Sequence, residues 1–100
     1  MAILVRFTPS GLTSEQYNAV GQKLQDGGQW PPDGLLAHVG FGTSGDLKVS
    51  EVWESREHME KFAERLMPIL QEEGVQFSSE PELIEVEGYY MREASSLDAD

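Results

Sequence analysis

The chain contains no cysteine. That absence removes disulfides, thiolate metal ligands and cysteine nucleophiles from consideration. Basic residues are scarce, 7 Lys and Arg against 18 Asp and Glu, for a formal net charge of -11 over 100 residues. Such an excess repels phosphate backbones and anionic membrane surfaces, so neither nucleic acid nor a membrane is an expected partner. Long apolar runs are missing too: none approaches the ~20 residues that span a bilayer. The opening Ala2-Ile3-Leu4-Val5 stops at Arg6 and is too short for a signal-peptide core, so a cytoplasmic location is expected by elimination. Two separated histidines with scattered carboxylates do not supply the converging ligands of a metal site, and none is expected. There is also no Gly-rich phosphate loop, Ser-His-Asp arrangement or nucleotide fingerprint.

What is present reads as one domain over residues 1–91, with an acidic, loose tail over 92–100. Ala2 to Phe7 is short, apolar and β-branched, and Thr8-Pro9-Ser10-Gly11 closes it as a strand. Thr13 and Gln16 then form the capping box of a helix, with Leu12 and Tyr17 as its hydrophobic staple. Tyr17, Val20 and Leu24 recur on one helical face until Asp26-Gly27-Gly28 stops it. A stiff loop, Trp30-Pro31-Pro32-Asp33-Gly34, leads to strands Leu35–Phe41 and Leu47–Glu54, joined as a hairpin by Thr43-Ser44-Gly45-Asp46. Ser55 caps a second helix with Met59, Phe62, Ala63, Leu66 and Leu70 on its apolar face. Pro68 lies inside that pattern and predicts a kink or a break. Pro81 introduces a last strand, Leu83–Tyr90, with one of Tyr89 and Tyr90 expected to face the core or a partner and the other water.

The order β-α-β-β-α-β predicts the ferredoxin-like α+β fold, a four-stranded antiparallel sheet with both helices on one face. Placing Gly42 opposite Leu47 sets Leu36 against Trp53 and His38 against Glu51. One face then carries Leu36, His38, Gly40, Val49, Glu51 and Trp53; the other carries Leu35, Ala37, Val39, Phe41, Ser50 and Val52. Both are substantially apolar, yet helices can cover only one. The uncovered face predicts a homodimer joined sheet to sheet.

His38 and Glu51 are the leading catalytic candidates, a general acid or base with its carboxylate partner, or else a cross-strand polar pair that merely holds register. Trp53 either stacks on a flat ligand or is plain core. Trp30 either covers a pocket entrance or anchors its loop beneath a helix. Arg6 either binds an anionic substrate group or pairs at the sheet edge with Glu85 or Glu87. His58, among Glu54, Glu57 and Glu60, reads as part of a solvated face.

From Ala2 to about Tyr90 the chain resembles the dimeric α/β-barrel superfamily, which includes antibiotic-biosynthesis monooxygenases and haem-degrading monooxygenases. The resemblance is carried by Val52-Trp53-Glu54-Ser55 running into Met59 and Phe62, by Leu66-Met67-Pro68, and by Gly11-Leu12-Thr13. Trp30-Pro31-Pro32-Asp33-Gly34-Leu35 is not a mark of the well-studied enzymes and suggests a separate branch. The resemblance implies a homodimer whose sheets close into a barrel, and a pocket between sheet and helices lined by Trp53. The haem-degrading members carry an iron-ligating His nine or ten residues after that Trp; Phe62 and Ala63 stand there instead. Haem is therefore disfavoured and no cofactor is expected. The implied function is small-molecule binding, with cofactor-independent oxygenation of an aromatic or conjugated substrate as its specific form. The alternatives are an isomerase or cyclase using His38, or a non-catalytic module whose pocket is filled.

Overall fold

A computed structural model describes residues 1–90, so the expected acidic tail lies outside the described residues. The elements run β1 (Ile3–Phe7), β2 (Pro9–Ser10), α1 (Ser14–Asp26), β3 (Leu35–Phe41), β4 (Lys48–Trp53), α2 (Arg56–Glu72), β5 (Gln76–Phe77) and β6 (Glu82–Glu85). The main sheet has the order β3-β4-β1-β6 with antiparallel neighbours throughout. This is the ferredoxin-like α+β arrangement. Leu24 of α1 and Phe62 of α2 meet Ile3, Val5 and Trp53 of the sheet in one core, so both helices sit on the same face.

Local chemistry explains where the helices begin. Thr13 Oγ1 accepts from the Gln16 backbone N–H at 3.1 Å, and Gln16 Oε1 accepts from the Thr13 N–H at 3.1 Å. Such a cap is worth about 1 kcal/mol. The Gln16 amide also donates to the Glu73 carbonyl at 3.1 Å, fastening the start of α1 to the end of α2. Ser55 caps α2 by accepting from the His58 N–H at 3.2 Å.

Four expectations need correction. The helix does not break at Pro68; α2 is continuous from Arg56 to Glu72. Proline there removes one N–H, and the carbonyl left without it belongs to exposed Glu64, where water can serve it. Buried Leu70 and half-buried Leu66 and Ile69 keep the last turns docked on the core. The last strand is shorter than Leu83–Tyr90 because its partner runs out: Ile3, the first residue of β1, already pairs with Glu85. Tyr89 and Tyr90 are consequently both exposed in the chain. A two-residue ladder, β2 with β5, was not expected; it aligns Pro9 with Phe77 and brings the Phe7 and Phe77 rings to 6.2 Å.

The fourth correction concerns the hairpin. His38 opposes Glu51 as expected, but Trp53 opposes Leu35 and Val52 opposes Ala37. Leu36 is the extra residue of a β-bulge, which slips the register by one and turns Leu35 onto the helix-covered face, against the core. The rest of the alternation holds. Ile3, Val5, Phe7, His38, Glu51 and Trp53 face the helices; Leu4, Arg6, Val39, Phe41, Val52 and Ile84 face away. Of the second group, Val39 is 54% and Phe41 46% exposed.

Candidate functional site

The centre of the helix-covered face is polar, and every polar atom in it is used. Glu51 is 5% exposed, on a strand flanked by neighbours on both sides. A carboxylate so placed is costly unless hydrogen-bonded. Two N–H groups serve it. The Trp53 indole Nε1 donates to Oε1 at 3.0 Å, and His38 Nδ1 lies 2.7 Å from Oε2. Facing a carboxylate, Nδ1 carries its hydrogen. The far imidazole nitrogen, Nε2, is 2.7 Å from the Tyr17 hydroxyl, which descends from α1. Burial, and secondly the charge of Glu51, push the Tyr17 phenol above its ordinary value. Tyr17 therefore stays a neutral hydroxyl and donates to Nε2.

The result is a chain of hydrogen bonds, Tyr17 to His38 to Glu51 with Trp53 behind, and no buried side-chain polar atom among the described residues is left unpartnered. The same heavy atoms also suit an imidazolium: Nε2–H would donate to Tyr17 Oη and the phenol hydrogen would turn outward. A proton can thus be held or released with little rearrangement. Packing fixes the orientation of the ring. Trp30 meets the His38 ring edge-on at 5.1 Å and 83°. Trp53 lies against Phe62 at 5.5 Å.

This chain opens on a cleft of about 660 Å³ between the sheet and both helices, bounded by Phe7, Tyr17, Leu24, Trp30, His38 and Phe62. The volume falls within the usual range for small-molecule sites. A second cavity of about 520 Å³ adjoins it behind Glu51 and Phe62 and is lined by Trp53 and Met59.

His38 and Glu51 are joined and line the cleft. Trp30 is half-buried and forms part of its wall beside His38, so it anchors its loop and lines the cleft at once. Trp53 is fully buried; it lines the second cavity and touches the first through Glu51. Arg6 is not brought to this group. It points from the opposite face, exposed, with Nε 3.4 Å from Glu82. The pairing with Glu85 or Glu87 is corrected to Glu82 because β1 and β6 align Arg6 with that residue. His58 is not on a solvated face but half-buried, its ring over Gly34 and its Nδ1 2.7 Å from Ser55 Oγ. Among the described residues no three His, Cys, Asp or Glu converge as metal ligands, and no helix is long and apolar enough to cross a membrane.

Tyr17 is the member of this chain of hydrogen bonds that the sequence does not reveal, because its position also suits a staple on an apolar helix face. The signal that could have found it is Gly40. A Cβ there would lie 2.7 Å from the Tyr17 hydroxyl, so the missing side chain, two residues along the strand from His38, is the space the phenol occupies.

The fold is similar to those of several solved structures, a cofactor-independent oxygenase and antibiotic biosynthesis monooxygenase-like proteins among them. The chain is similar to SnoaB, a cofactor-independent oxygenase from Streptomyces nogalater, at 15% identity and a TM-score of 0.58, covering 88% of this chain and 93% of that one. It is similar to a candidate antibiotic biosynthesis monooxygenase from Deinococcus radiodurans at 16% identity and a TM-score of 0.57, covering 94% and 100%. For a protein of the same description from Chloroflexus aurantiacus the values are 15%, 0.53, 89% and 95%. At such identities the likeness establishes the fold. No family model and no curated protein matches the sequence.

Proposed function

We propose that this protein is a homodimeric small-molecule enzyme, monooxygenase-like and cofactor-independent, acting on an aromatic or conjugated substrate with His38 as its base. The observation that carries this reading is the Glu51–His38–Tyr17 hydrogen-bonded chain ending at an apolar cleft of about 660 Å³. A carboxylate behind an imidazole orients it and stabilises the imidazolium that forms when it takes a proton. Removing a proton from an activated methylene leaves an electron-rich carbanion that can react with molecular oxygen. The resulting peroxide takes that proton back from His38. Loss of the second methylene proton with the terminal oxygen, as water, then leaves a carbonyl. SnoaB, described as a cofactor-independent oxygenase, lends this chemistry support by fold.

Exposed Val39, Phe41 and Ile84 on the uncovered sheet face support the homodimer. The same proton chain would also serve an isomerase or cyclase, which needs no oxygen. A filled-pocket binding module is opposed by the open cleft, which exceeds the roughly 300 Å³ at which small-molecule sites begin.

The test is oxygen uptake and product mass with a panel of polycyclic ketones bearing an activated methylene. Wild type should consume oxygen and insert one atom, and His38→Ala should abolish turnover while its circular dichroism stays native. Full activity in that folded variant removes His38 as the base. Solvent-deuterium incorporation without oxygen uptake selects the isomerase reading instead, and neither signal leaves a binding module.

A further inference from the structure

His38 has two ring nitrogens and both are engaged, Nδ1 by Glu51 and Nε2 by Tyr17, each at 2.7 Å. A ligand proton can therefore reach the imidazole only through the Tyr17 oxygen or by displacing it. Tyr17 lines the cleft, and Gly40 leaves the room that lets its ring lie against His38. The charge around the cleft is equally one-sided. Among the described residues no Lys or Arg lines it. Lys23, on α1, is held by Glu72 and Glu73, and Arg6 faces away on the other side of the sheet. The one ionisable acid in the lining is Glu51. A carboxylated ligand entering here would shed its water, find no counter-charge and meet a like charge. A neutral ring system would lose little and gain contact with the aromatic lining of Trp30 and Phe62.

We infer that Tyr17 is the residue that meets the ligand's hydroxyl and relays its proton to His38, and that the cleft selects uncharged hydroxylated ring systems over carboxylated ones. This inference rests on the small-molecule reading of the same cleft and does not depend on oxygen chemistry. In the relay the ligand O–H bond breaks as a new O–H bond forms on Tyr17 Oη. The original Tyr17 O–H bond breaks as an N–H bond forms on His38 Nε2. The ligand is left as its oxyanion, His38 as an imidazolium beside Glu51, and Tyr17 is neutral before and after. Asn18, Gln22 and Gln25 also line the cleft and supply uncharged donors for carbonyl oxygens of such a ligand.

Three probes of one shape test this on the full chain at neutral pH: naphthol, naphthalene and naphthoate, titrated by tryptophan fluorescence and calorimetry. Naphthol should bind at least about tenfold tighter than naphthoate. Tyr17→Phe should weaken naphthol by about tenfold while leaving naphthalene unchanged, a selectivity that a purely structural role would not produce. Should Tyr17→Phe not fold, Gly40→Ala, which pushes the phenol aside, should give the same selective loss. Naphthoate binding as tightly as naphthol overturns the charge selection. Undiminished naphthol affinity in the folded variant overturns the role of Tyr17, and failure of all three probes to bind overturns both. Absence of oxygen uptake, by contrast, defeats only the oxygenase reading and leaves these binding results standing.

Discussion

The two faces of the sheet are built from the same strands and almost the same proportion of apolar residues, yet they do opposite things. The helix-covered face buries a carboxylate, an imidazole and an indole N–H and satisfies each of them. The other face buries no charge. Its charged Arg6 and Glu82 pair in solvent, Lys48 pairs with Asp46, and its large side chains Val39, Phe41 and Ile84 stay exposed. A polar group is tolerated in the core only inside a closed hydrogen-bond chain, whereas an apolar one on the surface costs little until a partner arrives. The covered face therefore holds the hydrogen-bonded chain and the cleft, and the bare face leaves apolar side chains open to solvent.

The sharpest way to break the contrast is on the covered side. Trp53→Ala should cost about 3–5 kcal/mol by removing a fully buried ring, with a further loss because Glu51 forfeits its indole donor. Urea unfolding would measure it, and a loss below about 1 kcal/mol would contradict the packing described. On the bare side, Val39→Lys with Phe41→Glu should leave the fold intact and change the assembly instead. Light scattering should fall from twice 11.1 kDa to 11.1 kDa. A wild-type chain that is already monomeric would remove the dimer from the account.

The smallest effect lies in the pH dependence. The Tyr17 phenol is raised in the folded state, so its contribution is fully present below about pH 10, the unfolded value. It is lost as pH climbs from there through the folded value, because only the unfolded chain then ionises freely. The wild-type melting temperature should fall between pH 9.5 and 11 more steeply than that of Tyr17→Phe, in which Lys23 and every other titrating group is retained. Parallel curves would place Tyr17 in water rather than in the core.

Much of the fold was legible in the chain because it is written in short-range signals. The capping box of Thr13 and Gln16, the Ser55 cap and the Gly-containing hairpin turn each act over a few residues, and each was found where expected. So was the opposition of His38 to Glu51, since the register near a turn is set by the turn itself. The same reckoning failed at Leu35 and Leu36, farther from the turn, where a bulge intervenes. Two apolar neighbours in a row give no pattern by which to choose which one turns inward. No break occurs at Pro68 for a related reason: helix propensity is local, whereas the burial that holds the last turns of α2 is not.

The sequence by itself determined the order of elements, the absence of thiol chemistry, the anionic charge and the presence of one histidine opposite one glutamate across a hairpin. Only the tertiary structure decided that Tyr17 completes their hydrogen-bond chain, that Arg6 stands on the far side of the sheet, and that a cleft remains between sheet and helices. The reason is range. Caps, turns and strand register are contacts between near neighbours, while Tyr17 and His38 are separated by 21 positions and meet only when the crossover of α1 lays a helix over the strands.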